Sequence, residues 1–336
     1  EDHPTTTNQL ELSLEEIRRI ARGMKGLLFL LPTGGEPFLR EDLAEIIKIF
    51  YHESGVRNVG IPTNGSRPQE CLRLVKDVLS NCPDLDLGID VSIDGVGQLH
   101  DDIRHRPGLF DQATHTFREL RKLKSFYPKF HVNVETTVSA WNQDHLDELF
   151  AYLTGVLEAD TIFPLLTRGN PRDPNSKKVD VEKYERYTQK LAAAIENQDI
   201  RGYDSFPFSD LINAKRVIRH QLIAQTLREN RYQIPCLAGH LGATLLPYGQ
   251  LLPCEMRLDR VIGNLRDNGY HFRRLWFSQK ADEIRNEITA SRCFCTYECF
   301  QTLNLLFNIK MYPRLLKEWL AIRWAKRKAR SKQENA

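Results

Sequence analysis

The chain has 336 residues, 41% apolar and 27% charged, a balance that fits a globular protein and excludes a collagen-like or wholly disordered one. Its 47 Lys and Arg against 44 Asp and Glu leave a net charge of +3, too near balance to mark a nucleic-acid protein. No apolar run approaches the roughly 18 residues a membrane-spanning helix requires, so a soluble chain of about two domains is expected, with no nucleic-acid partner and no membrane span.

The opening Glu1-Asp2-His3-Pro4 carries no initiator Met and no signal-peptide pattern. Ser13-Leu14-Glu15-Glu16 predicts a helix started by a capping box and continued on Ile17, Ile20 and Ala21. The uninterrupted apolar run Leu27-Leu28-Phe29-Leu30-Leu31 has the form of a strand buried on both faces. A helix bearing Leu43, Ile46, Ile47 and Phe50 follows and stops near Gly55. Strands are then expected at residues 56–61, 87–93, 132–138 and 162–166, separated by helices over 71–79, around Phe117, Leu120 and Leu123, and over 146–153.

Five strands alternating with helices predict an α/β parallel sheet built from right-handed crossover units. The series opens on a helix, so the expected architecture is a partial (β/α)6 TIM-like barrel lacking its first strand, the chain being truncated upstream of residue 1. Residues 168–178 are polar and rich in Pro and Asn, and two helical patterns follow at about 180–197 and 208–230. Residues 241–256 predict a β-hairpin turning at Pro247-Tyr248-Gly249. The expected division is a barrel at 1–168, a helical linking segment at 169–230, a Cys-bearing α+β extension at 231–304 and a basic C-terminal helix at 305–336. That last helix carries Trp319 and Trp324. It reads either as a solvated helix with its Trp residues on the core or as an amphipathic surface for a membrane or a nucleic acid.

Cysteine usage is uneven. Cys71 and Cys82 fall on and just after an apolar-periodic segment and are expected as small buried hydrophobes. Cys236, Cys254, Cys293, Cys295 and Cys299 crowd one later stretch. Without a secretion signal the thiols are expected to be reduced in a cytoplasmic protein, and the cluster reads as metal-binding. Four soft thiolates suit iron–sulfur or zinc, and five candidates compete for four positions.

In parallel α/β arrays ligands gather on the loops after the strands. Those loops hold Thr33-Gly34-Gly35-Glu36-Pro37, then Thr63-Asn64-Gly65, Ser92-Ile93-Asp94-Gly95, Glu135-Thr136-Thr137 and Arg168-Gly169. Two glycines let a backbone approach a ligand closely, and Glu36 adds an anion suited to a ligand ammonium. His100, Arg104, His105 and Arg106 are candidates for either a substrate mouth or a solvated loop. Tyr203, Phe206 and Phe208 are candidates for a lid or for core packing.

Gly-Gly-Glu-Pro, Thr-Asn-Gly and Val-Ser-Ile-Asp-Gly at successive strand ends resemble the radical S-adenosylmethionine (SAM) superfamily. The resemblance implies that Gly34, Gly35, Glu36 and Pro37 hold the SAM amino group. It implies further that Ser92 and Asp94 contact its ribose and carboxylate, with Thr63, Asn64 and Arg168 on the same rim. The family's Cys-x3-Cys-x2-Cys motif, which binds a SAM-chelating 4Fe–4S cluster, is missing from these 336 residues and is expected upstream of them. The late cysteines resemble the SPASM and shorter twitch extensions, which carry auxiliary 4Fe–4S clusters. The activity implied is reductive cleavage of SAM to a 5′-deoxyadenosyl radical that abstracts hydrogen from a substrate, with a peptide as the leading candidate. The electron would come from a reductant such as flavodoxin or ferredoxin. The alternative is a non-catalytic metal-binding scaffold or peptide-recognition protein.

Overall fold

A computed structural model describes residues 10–197, 200 and 208–334; Tyr203 and Phe206 lie outside the described residues. The elements run α1 (Leu14–Arg22), α2 (Leu43–Ser54), β1 (Asn58–Thr63), α3 (Pro68–Asn81), β2 (Asp86–Ser92), α4 (Gln98–Arg104), α5 (Leu109–Leu123), β3 (Phe130–Val138), α6 (Leu146–Gly155) and β4 (Ile162–Leu166). They continue α7 (Val181–Glu196), α8 (Ser209–Glu229), β5 (Thr244–Leu245), β6 (Gln250–Leu252), β7 (Gly263–Asn264), α9 (Phe272–Trp276), α10 (Gln279–Ala290), α11 (Glu298–Leu306) and α12 (Tyr312–Glu334). β1 to β4 form a parallel sheet in sequential order, and β5 to β7 form a small antiparallel sheet. Among the described residues no helix is long and apolar enough to cross a membrane.

The chain divides into two compact units, each discontinuous in sequence. The first comprises Glu1–Ser92, Gly108–Asn133 and Ala238–Ser291. The second comprises Ile93–Pro107, Val134–Leu237 and Arg292–Ala336.

In the first unit the capping box of α1 forms as its sequence predicts. Ser13 accepts from the Glu16 amide, and Glu16 accepts from the Ser13 amide at 2.8 Å. The same Glu16 carboxylate also takes the Arg266 guanidinium at 2.8 Å and the Tyr270 hydroxyl at 2.8 Å. Arg266 donates onward to the carbonyls of Leu10 and Glu11, so one residue beyond β7 ties down the chain's early segment. That arginine holds the Glu16 carboxyl far below the usual carboxylate range.

The run at residues 27–31 does not become a strand. Leu30 alone makes a parallel bridge to Val59, while Leu28 and Phe29 are 73% and 55% exposed. An apolar run reports a preference for burial but supplies no pairing partner, and here, among the described residues, β1 alone bridges to it. From β1 onward the expected strands appear. β1 pairs with β2 from Asn58↔Asp86 to Thr63↔Val91, and α5 packs on β2 with Phe117 and Leu120 fully buried. Each such side chain contributes about 1.5–3 kcal/mol by leaving water. Cys71 and Cys82 are fully buried, and burial pushes their thiols up to about 12 and about 11, as inert core residues. The expected hairpin forms as β5 and β6, and β7 adds a third strand.

In the second unit β3 pairs with β4 from Val134↔Ile162 to Val138↔Leu166. α8 is its central helix, packed by α7, α11 and α12. Ala214, Ile218 and Leu222 meet Leu305, Met311, Leu315 and Ile322 in one apolar cluster, with Trp319 against it. Trp324 is 66% exposed, so only one of the two tail tryptophans joins the core.

Candidate functional site

In the first unit the loop after the Leu30 bridge holds Thr33, Gly34 and Gly35 at the surface. Gly34 has φ +152°, and a Cβ at either glycine would meet nothing within 4 Å. Glu36 then caps the short turn Pro37–Leu39, accepting from the Phe38 amide at 3.2 Å. The same carboxylate accepts from the Thr63 hydroxyl at 2.9 Å and from the Asn64 amide at 2.7 Å. The Gly-Gly-Glu-Pro loop is thereby pinned to the end of β1. A carboxylate has about four lone-pair sites, and these three bonds leave one for a ligand donor.

The following turn is rigid for a local reason. Asn64 Oδ1 accepts from the Ser66 amide at 2.8 Å, and Gly65 takes φ +73° with its would-be Cβ 2.6 Å from Ala113 Cα. Only glycine fits there. Thr63 is 2% exposed and Ser92, the last residue of β2, 6%.

In the second unit Asp94 is 2% exposed and fully engaged. Oδ2 accepts from Arg104 Nε at 2.6 Å and Oδ1 from the Thr137 amide at 2.8 Å. Its own amide donates to His100 Nδ1 at 3.0 Å, and its carbonyl accepts from Asn142 Nδ2 at 2.8 Å. Asn142, fully buried, also bonds Thr137 O and the Ser139 amide. His100 is therefore inside the fold and not at a mouth, and burial lowers its pKa. His105 and Arg106 are exposed.

Arg168 lies over the Tyr297 ring at 4.4 Å and donates to Glu298 Oε2 at 3.3 Å. Glu298 Oε1 accepts from the Leu166 amide at 2.7 Å, which ties the end of β4 to the start of α11. Burial raises the Glu298 pKa, opposed by Arg168 and Arg219. Beside it Tyr184 Oη and His220 Nδ1 are 2.8 Å apart, and burial with the nearby Arg219 lowers the His220 pKa. Sequence reasoning missed Glu298, Asn142, Tyr184 and His220. The one signal for Glu298 was its place beside Cys299.

The five late cysteines are divided: Cys254 belongs to the first unit, and Cys236, Cys293, Cys295 and Cys299 to the second. Cys254 is 4% exposed, and its sulfur accepts from the Met256 amide at 3.3 Å. Burial raises the Cys295 thiol pKa, with Cys293 and Glu298 adding to the shift and Arg168 opposing it. Cys299 is exposed and acts electrostatically on Lys215 of α8. None of the five is in a disulfide. Among the described residues no three His, Cys, Asp or Glu side chains stand grouped as a metal site. By donor type alone, soft thiols suit iron–sulfur or zinc, but the five do not stand grouped for either.

Residues 2–153 match the family model described as the radical SAM superfamily. A GTP 3′,8-cyclase of Haemophilus ducreyi is 34% identical over 89 residues, covering 26% of this chain and 26% of that protein. An AdoMet-dependent heme synthase of Oleidesulfovibrio alaskensis is 29% identical over 181 residues, 52% of this chain and 43% of that one. The chain thus spans less than half the length of these two curated relatives. Among solved structures, native anSMEcpe with bound AdoMet and Kp18Cys peptide matches with a TM-score of 0.56 at 13% identity, covering 99% of this chain and 94% of that one. Native anSMEcpe with bound AdoMet matches at 0.53 and 16% identity, covering 94% and 88%. These likenesses are of fold.

Proposed function

Because residues 2–153 match the radical SAM superfamily model, we propose that the chain is part of an enzyme that cleaves S-adenosylmethionine reductively and abstracts hydrogen from a peptide substrate. The barrel would be a (β/α)6 array lacking its first strand, followed by a twitch- or SPASM-like extension. The carrying observation is the exposed Gly34-Gly35 loop with its Glu36 carboxylate bonded to Phe38, Thr63 and Asn64 and one acceptor site to spare. That loop suits a ligand with an ammonium group, and Gly34, Gly35, Glu36 and Pro37 would hold it. Thr63, Asn64 and Ser92 of the first unit, and Asp94 and Arg168 of the second, carry the remaining assignments. Asp94 would act by tying α4 to the end of β3, since both its oxygens are already bonded.

When bound, the SAM-chelating 4Fe–4S cluster supplies one electron, delivered by a reductant such as a flavodoxin or ferredoxin. No Cys-x3-Cys-x2-Cys occurs in these 336 residues, and the Cys71-x10-Cys82 pair does not have that spacing. Four of Cys236, Cys254, Cys293, Cys295 and Cys299 would hold the auxiliary 4Fe–4S cluster. The chain's own work is to bind, orient and shield. A peptide substrate is supported by the fold shared with anSMEcpe, whose structure holds the Kp18Cys peptide.

The test is anaerobic reconstitution of the complete gene product with iron and sulfide, followed by SAM and dithionite. Production of 5′-deoxyadenosine and methionine is expected. Zinc uptake with no SAM cleavage would replace the enzyme by a metal-binding scaffold.

A further inference from the structure

The C-terminal helix α12 has two unlike sides. Inward, Leu315 and Ile322 are buried, Trp319 packs on the apolar cluster of α8 and α11, and Lys326 pairs with Asp210 at 2.9 Å. The helix is therefore held by one side. Outward, Tyr312, Leu316, Leu320 and Trp324 are 49%, 52%, 52% and 66% exposed. Their four-residue spacing sets them in a stripe along one face. Arg314, Lys317, Arg323, Arg327 and Lys328 are also exposed on this helix. Through residue 328 the exposed positions include no carboxylate, since Glu318, the one acid there, is half-buried. Arg314 bonds Gln221 of α8, so in a chain whose net charge is only +3 the outward surface gathers four cations, Lys317, Arg323, Arg327 and Lys328, with four large apolar side chains.

The order of residues decides what such a surface fits. Arg323 and Arg327 project between the angular positions of Tyr312, Leu316 and Leu320, and Lys317 and Lys328 follow Trp324 on its far side. The apolar and cationic groups are interleaved, and Lys328 Nζ lies 5.2 Å from the Trp324 ring. A lipid interface satisfies both kinds at once: the apolar ends enter the acyl boundary, while Lys and Arg stems run alongside and their charges reach headgroup phosphates. The 23-residue helix would lie along the surface, because its charge density forbids crossing a bilayer.

We propose that the outward face of α12 docks the protein peripherally on a bilayer carrying anionic lipid headgroups. Charge complementarity selects that lipid class, and the Leu and Trp stripe adds an attraction that salt does not screen.

The experiment is sedimentation of the full chain with large vesicles of phosphatidylcholine alone or with about 30% phosphatidylglycerol, where each basic residue near the surface adds to the attraction. Binding to the anionic vesicles at least about ten-fold above the neutral ones is expected. Leu316→Glu with Leu320→Glu should reduce it to the neutral level, with an unchanged far-ultraviolet spectrum because both side chains are exposed. Arg323→Glu with Arg327→Glu should do the same. Failure to bind anionic vesicles would overturn the proposal, and so would equal binding by the leucine double variant. Retention of the wild-type chain on immobilised polyglutamate or an oligonucleotide, with none on vesicles, would assign the face to an acidic polymer instead.

Discussion

Replacing Glu36 with Gln tests whether the Gly-Gly-Glu-Pro loop is pinned as the geometry indicates. The carboxylate accepts from three donors: Thr63 Oγ1 and the Phe38 amide through Oε1, and the Asn64 amide through Oε2. An amide has one oxygen, so it cannot accept from both sides. The best compromise turns the oxygen toward the Asn64 amide and the NH2 toward Thr63 Oγ1, whose hydroxyl can rotate to accept. The Phe38 amide then loses its acceptor, and the Asn64 bond loses its charge assistance. Together these cost about 2–3 kcal/mol. Amide hydrogen exchange read by mass spectrometry is the appropriate assay, since it reports local opening and needs no two-state unfolding. In peptides covering residues 36–40 and 62–66, exchange should quicken by about thirty- to a hundred-and-fifty-fold, the equivalent of that free energy. SAM affinity should fall in the same variant. Unchanged exchange at both Phe38 and Asn64 would refute the pinning, whatever happened to SAM binding.

Gly65→Ala should lower the thermal midpoint by several degrees. A positive φ costs about 1–2 kcal/mol for alanine, and the new methyl would also meet Ala113 Cα, which is backbone. Acid should destabilise the protein below about pH 6.5, the ordinary histidine value, because burial depresses the folded-state pKa of His100 and His220. Above that pH both states are neutral and stability is complete; below it the unfolded chain takes protons the folded one refuses. The urea midpoint should therefore fall between pH 7.5 and 5.5, and by less in His100→Asn; equal midpoints in the wild type would contradict the assignment. Iodoacetamide at about pH 8 should label exposed Cys299 well before Cys71 and Cys82, a ranking that peptide mass spectrometry checks.

Much of the fold is legible in local signals. Ser13 and Glu16 announce the start of α1 because a capping box needs only residues three apart. The strands from β1 to β4 follow from apolar periodicity. The run at residues 27–31 misleads for a physical reason: its five apolar side chains state a preference, while pairing depends on a neighbour elsewhere in the chain. The site divides in the same way. The Gly34–Pro37 loop and the Thr63–Gly65 turn are recognisable because their chemistry is contiguous. Glu298 bonds a strand end 132 residues away, and no spacing rule reaches that far. Asp94 was legible as a strand-end carboxylate, but not that Arg104 and Thr137 would use both its oxygens. β7 escaped notice because two residues carry too little pattern to signal a strand.

The Glu16–Arg266 bond has a consequence for biosynthesis. Its partners are 250 residues apart, so at about 5–20 residues per second the ribosome delivers the second roughly 12–50 s after the first. During that interval α1 has its capping box but not its arginine, and the early helices must wait with surface exposed that segment 238–291 will later cover. The first unit closes only once segment 238–291 has been made.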